Sequence, residues 1–336
     1  MRTLIAAASI LPLITAPAAA GPLRIGWVAA EAKWVAHVDI DAFTSSRIGS
    51  ALLENADDFD IDLDRLDELQ EEIGIDLRTD VMSLTAYGTS GVPEDCVIIA
   101  VTNEAADEAL ERLLDHPDLN VREIEVDGYD LYVIAAHGER HYLHVRDARR
   151  RDRRIVVLAG GRHDLVDALK VIDGDAPSIS MGKSRLPGTS PMDGSIVFVA
   201  AGAMDELDGF EPASEILSLC ESVTIDVGEV EGELRAQASA SAESEENAAN
   251  IKQVVKGMIA LGDLIAFDDP DLTPLKVLTE ALSVRSTGNR VTIRFRYDVG
   301  DLLDKLEVLE EGHPRDHDRP HKRKRGRART RPSRDR

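Results

Sequence analysis

His37, Asp39 and Asp41 stand at i, i+2 and i+4 in the stretch Trp34-Val35-Ala36-His37-Val38-Asp39-Ile40-Asp41. On an extended strand these residues share one face, with neighbours about 7 Å apart. An imidazole beside two carboxylates can hold a metal ion or move a proton, so a metal-dependent or acid/base hydrolase is one chemistry on offer. No further ligand group is fixed by spacing, and a polar strand face turned to water or lying under a helix accounts for the same residues.

His137, His141 and His144 form the densest histidine cluster and are the candidate metal ligands. On a strand His141 and His144 would face opposite ways, which works against convergence on one ion. The neighbouring Arg149, Arg150, Arg151, Arg153 and Arg154 read as a solvated loop. Asp58, Asp60, Asp62 and Asp64 alternate as in a calcium loop. Counted from Asp60, the bidentate position falls on Glu71, but Arg65 stands where the sharp turn needs glycine. A helix beginning near Leu63, with carboxylates favoured at its start, explains the run better. There is no Gly-x-Ser-x-Gly elbow, Walker loop, dinucleotide glycine fingerprint or His-Glu-x-x-His pair. The chain therefore reads as non-catalytic, with no cofactor implied.

The elements that must position these residues can be read from periodicity. Trp34 to Ile40 alternates as a strand, and Ile48, Leu52, Leu63, Leu66 and Ile73 fall at helical spacing, with Gly74 placed to end the second helix. Val81 to Tyr87 and Cys96 to Thr102 form a strand pair, and a helix over 104–115 follows, with Asn103 as its cap. A hairpin turns at Asp127-Gly128, Ile155 to Leu158 is a strand, and Asp164 to Ile172 is a helix. The second part repeats this order in outline. A strand at 196–200 and a helix at 212–220 lead to strands at 223–227 and 233–239. Helices at 243–265 and from Pro274 to Leu282 precede a hairpin at 287–289, a strand at 291–297 and a helix from Asp301.

Asp164 to Ile172 and Asp301 to Leu309 match at positions one, two, four, six and eight, which points to an internal duplication. The expected fold is α+β: two similar halves of antiparallel sheet, 21–190 and 191–312, with helices on one face, able to share one extended sheet.

The formal charge of −23 divides unevenly. Residues 313–336 carry eleven basic and three acidic side chains, a net of +8, and Gly21 to Gly312 carry −32. A body this acidic disfavours nucleic acid as a partner, because phosphate binding needs clustered positive charge. The tail lacks apolar periodicity and is expected to be disordered. Residues 1–20 read as a secretory leader: Arg2, an apolar run from Leu4 to Ile14, then Ala18-Ala19-Ala20 before Gly21. The apolar run is too short to span a bilayer, and no later segment is long enough, so a soluble periplasmic or extracellular protein is expected. Cys96 and Cys220 would meet an oxidising compartment, where a bridge between them is chemically allowed and two buried thiols are the alternative.

Ala30 to Asp39 (AEAKWVAHVD), Gly74 to Val81 (GIDLRTDV) and Leu169 to Ser178 (LKVIDGDAPS) together resemble a family of exported bacterial proteins of unknown function with a duplicated α+β body. The resemblance covers roughly 27–312 and implies export and a two-part architecture. It implies no activity, cofactor or site residue. The basic tail and the histidines from His137 to His144 lie outside it.

The functional expectation is an exported binding or scaffolding protein. Its tail residues Lys322, Arg323, Lys324, Arg325, Arg327, Arg329 and Arg331 would contact anionic envelope polymer or an acidic protein surface through counterion release. The alternatives are the hydrolase built on His37, Asp39 and Asp41, and cation binding by the acidic surface. Sequence leaves the oligomeric state open.

Overall fold

The computed structural model describes residues 21–56, 62–91, 95–117, 119–136, 138–148, 152–181, 186, 190–203, 219–268 and 273–311. The leader, Asp58, Asp60, His137, Arg149 to Arg151, most of the helix expected at 212–220 and the basic tail lie outside the described residues.

The strands are β1 (Trp34–Asp39), β2 (Val81–Gly88), β3 (Val97–Thr102), β4 (Asn120–Val126), β5 (Tyr129–Ala136), β6 (Glu139–Asp147), β7 (Arg154–Ala159), β8 (Ser195–Gly202), β9 (Cys220–Val230), β10 (Glu233–Ala242), β11 (Leu282–Thr287) and β12 (Arg290–Asp298). The helices are α1 (Ile40–Thr44), α2 (Arg47–Glu54), α3 (Leu63–Ile73), α4 (Ala105–Asp115), α5 (Arg162–Asp173), α6 (Glu245–Asp268), α7 (Thr273–Glu280) and α8 (Val299–Glu311). All twelve strands belong to one antiparallel sheet in the order β11-β12-β10-β9-β8-β1-β2-β3-β7-β6-β5-β4. Two strands far apart in sequence, β1 and β8, pair at its centre, with His37 opposite Phe198.

Local chemistry accounts for several boundaries. Asp62 caps α3 by accepting the N–H of Arg65 at 3.1 Å, and Gly74 ends it in the left-handed conformation at φ 79°, where a side chain would be strained. Asp39 ends β1 and caps α1, its Oδ1 accepting the N–H of Ala42 at 2.8 Å. In α5, Leu165, Val166, Ala168, Leu169 and Val171 recur at helical spacing and are buried. At the C-terminal end of α5, Asp173 accepts from Arg146 at 2.7 Å and from the Tyr129 hydroxyl at 2.9 Å, tying the helix to β5 and β6.

Directly opposed residues in a sheet share a face. One such row runs Ile99, Thr85, His37, Phe198, Asp226, Gln237, Arg294, Ser283 across eight strands. On this face, over β7, β3, β2, β1 and β8, the residues Val35, Tyr87, Ile99, Val157, Phe198 and Ala200 pack against Leu165, Val166 and Leu169 of α5. Leu23, Val28, Ala29 and Ala32, which precede β1, complete that core. Beyond β9 the helices change sides. Ala248 and Ile251 of α6 pack with Ala240, Val291 and Val284, and Val299 and Leu302 of α8 pack with Leu234, Tyr297 and Ile48. These strand residues point away from the α5 face.

The expectation of helices on one face is thus corrected. α5 covers one face, whereas beyond β9 α6 and α8 cover the other, because apolar positions change parity there: Ile99 and Phe198 share the row that holds Arg294, whereas Val291 does not.

Candidate functional site

The structure places the predicted triad inside the protein. His37 is 3% exposed and Asp39 4%, both on the α5 face of β1. His37 shares a 2.9 Å hydrogen bond between Nδ1 and Thr85 Oγ1, while Nε2 finds no partner among the described residues. Burial lowers its pKa to about 4, so the ring is neutral near pH 7. Asp39 is held by Ala42 and by the backbone N–H of Gly21 at 3.3 Å, and burial pushes its carboxyl upward. Asp41 lies in the first turn of α1 and is only half-buried, with its carboxyl also raised by burial. His37 and Asp39 are core polar groups beside the cap of α1, nearly closed off from solvent.

Of the other predicted ligands, His137 lies outside the described residues, and His141 and His144 do not converge. His141 and His144 occupy opposite faces of β6. Nε2 of His141 lies 3.7 Å from Glu139, and Nδ1 of His144 is 2.8 Å from the carbonyl oxygen of Asp130. Among the described residues no three His, Cys, Asp or Glu side chains are grouped to hold a metal ion.

The Cys96 to Cys220 bridge is also corrected. Cys96 directly precedes β3 and Cys220 opens β9, not a helix end, with β2, β1 and β8 between them. At about 4.8 Å per strand this separation is roughly 19 Å, well past the span of a disulfide, and no bond joins them.

A different feature stands out on the row already traced. Past β9 the α5 face of the sheet turns from apolar to cationic. β11 presents Ser283, Arg285 and Thr287, and β12 presents Arg290, Thr292 and Arg294, in the register Ser283 to Arg294, Arg285 to Thr292 and Thr287 to Arg290. With Asn289 of the intervening turn they line an open cavity of about 520 Å³. Arg285, Arg290 and Arg294 are exposed, and Arg294 Nε donates to Gln237 Oε1 at 2.8 Å. Among the described residues no carboxylate lies within ion-pair distance of these three guanidinium groups.

Arg285 stands directly opposite Thr292 and is diagonal to Arg290 and Arg294 at about 7 Å, and the hydroxyl and amide groups between them supply neutral donors. Such a lining can accept oxyanions bidentately. The periodicity marks the hairpin but not its charge. The signal was a period-two alternation of Arg with Ser and Thr through 283–296, hidden by the net −32 of the surrounding body.

No family model and no curated protein matches the chain. Two solved structures, described as crystal forms III and I of TP0453, are similar in outline at 9% identity each. Form III gives a TM-score of 0.43 over 87% of this chain and 100% of that one. Form I gives 0.38 over 86% and 98%. Likeness at this level carries no functional argument. Among the described residues no helix is long and apolar enough to cross a membrane.

Proposed function

We propose that this protein is an exported, non-catalytic binding protein whose β11–β12 face engages an anionic polymer of the cell envelope, with the basic segment 313–336 as a second contact. The observation that carries this reading is the cavity lined by Arg285, Arg290 and Arg294, which lies on an otherwise acidic body. A net charge of −32 repels a polyanion from most of the surface, and this face and the tail are the contacts proposed to offset it. Both are polyelectrolyte contacts, in which guanidinium groups displace condensed counterions and binding weakens steeply with salt. Export is supported by the leader pattern of residues 1–20.

The test is calorimetric titration of the full chain with inorganic polyphosphate and with a polyuronate, at low and physiological salt. The triple variant Arg285→Ser, Arg290→Ser, Arg294→Ser is expected to bind at least tenfold more weakly. Equal binding by the variant would overturn the assignment of this face, and equal binding by a chain ending at Gly312 would remove the tail from it.

The same reading takes 21–190 and 191–312 as copies of one ancestral unit. In support, the matching stretches 164–172 and 301–309 fall in α5 and α8. Each of those helices follows a strand, β7 or β12, that pairs with the third strand of its part, β3 or β10. Because the two helices cover opposite faces, the copies would have diverged in packing after duplication.

A further inference from the structure

Gly21, which directly follows the leader pattern, is buried. Its backbone nitrogen donates to Asp39 Oδ2 at 3.3 Å. A Cβ at this position would fall 2.6 Å from Ser83 Cβ and 2.8 Å from its Oγ, so any larger residue would be pushed off Asp39. Asp39 is itself held in place by its cap bond to Ala42. Beside it His37, equally buried, keeps an unpartnered Nε2, and the backbone of Gly21 comes near enough to oppose part of the effect of burial on that ring. Leu23, Val28, Ala29 and Ala32 then anchor the following residues in the main core. In sequence, Gly21 is the residue directly after Ala18-Ala19-Ala20.

We propose that removal of residues 1–20 turns the Gly21 nitrogen into a free α-ammonium that docks on Asp39 as a buried ion pair, so that leader cleavage stabilises the folded body. The step is hydrolysis by a leader peptidase. Water breaks the amide bond between Ala20 and Gly21, its oxygen forms a carboxylate on Ala20, and the Gly21 nitrogen takes up the protons to become an ammonium. The 3.3 Å amide contact becomes a charge-assisted bond, which is shorter and about twice as strong as a neutral one. The ammonium carries three donors where the amide had one. One of these suits Asp39. Glycine is required because the charge must sit where Ser83 leaves no room for a side chain.

This inference rests on the export reading, and the two can be tested apart. Mass spectrometry of the protein secreted by a bacterial host from the full-length chain fixes the first residue. A start at Gly21 is expected, and any other start overturns the processing step. The pair itself is tested on the released chain against one that retains a single extra residue, Ala20, each with and without Asp39→Asn. The extra residue is expected to lower the folding equilibrium constant at least tenfold in the parent background. In the Asp39→Asn background, where the amide oxygen still serves as cap acceptor, it should change that constant little. An equal loss in both backgrounds, or no loss, overturns the docking. As a second readout that does not depend on the variant folding, the α-amine of the native released chain should acylate at least tenfold more slowly than in denaturant. Equal rates also overturn the proposal.

Discussion

The carboxylate of Glu229 accepts the backbone N–H of Ile48 at 3.1 Å and that of Arg47 at 3.4 Å, joining the start of α2 to a strand 181 residues further along the chain. Glu229 is buried, and its partners are helix N-terminal donors that no intrahelical carbonyl can satisfy. The contact also joins β9 to the cluster of Ile48, Leu52, Val299 and Leu302, so the two ends of the chain share one core.

Replacing Glu229 with Ala leaves the buried N–H of Ile48 and the part-buried N–H of Arg47 without this acceptor and should destabilise the protein by about 1–3 kcal/mol. Glu229→Gln, which keeps an acceptor oxygen, should have a smaller effect. Urea titrations of the two variants beside the parent chain check both the size and the order of the changes.

His37 makes stability depend on pH with a defined sign. Burial lowers its pKa from 6.5 to about 4, so as the pH falls the unfolded chain binds this proton before the native one does. The contribution is fully present above about 6.5, declines by roughly 3 kcal/mol between 6.5 and 4, and is then constant. Asp39, whose carboxyl is raised by burial, acts the other way, because the native state takes up that proton first. In His37→Gln of the full-length chain, where Gly21 keeps its amide, the decline between pH 6.5 and 4 should disappear from the urea midpoints while the opposing trend of Asp39 remains.

That residue also illustrates what sequence could and could not convey. The alternation of Trp34 to Ile40 identifies a strand and puts His37 and Asp39 on one face, but not which other strands flank it. One flanking strand is β8, whose pairing with β1 has no local signature, and the segment beginning at Gly21 lies against both side chains. Gly74, Asp127-Gly128 and the apolar spacing of α5 are local signals, and the elements they mark lie where expected. Cys220 is the reverse case: helical apolar spacing before it suggested a helix end, whereas pairing with Ala242 makes it the first residue of β9. The cationic face was written plainly in 283–296, but charge totals taken over the whole body concealed a cluster of three arginines.

Single substitution of Arg285, Arg290 or Arg294 by Ser should weaken polyphosphate binding and reduce the slope of log K against log salt by about one for each guanidinium–phosphate pair removed. These side chains are exposed, so stability should stay within about 0.5 kcal/mol of the parent. Titrations over a salt series, with thermal scans as control, distinguish weaker binding from weaker folding.

The strand order separates Cys96 from Cys220 by three strands. Non-reducing peptide mapping of the monomer should therefore find no linkage between them, and reductant should leave the melting temperature unchanged. Native-state alkylation should reach half-buried Cys96 faster than buried Cys220.

The pairing of β1 with β8 bears on how the molecule assembles. β1 ends at residue 39 and its partner starts at residue 195, so the middle of the sheet closes a loop of more than 150 residues. A chain emerging N-terminus first exposes one long edge of β1, with β2 already available on the other side, until β8 arrives. High sequence separation slows such closure, and an unpaired central strand is prone to pair with another chain in the interval. The demand falls on whatever shields that edge during synthesis, since the finished sheet has no free side at β1.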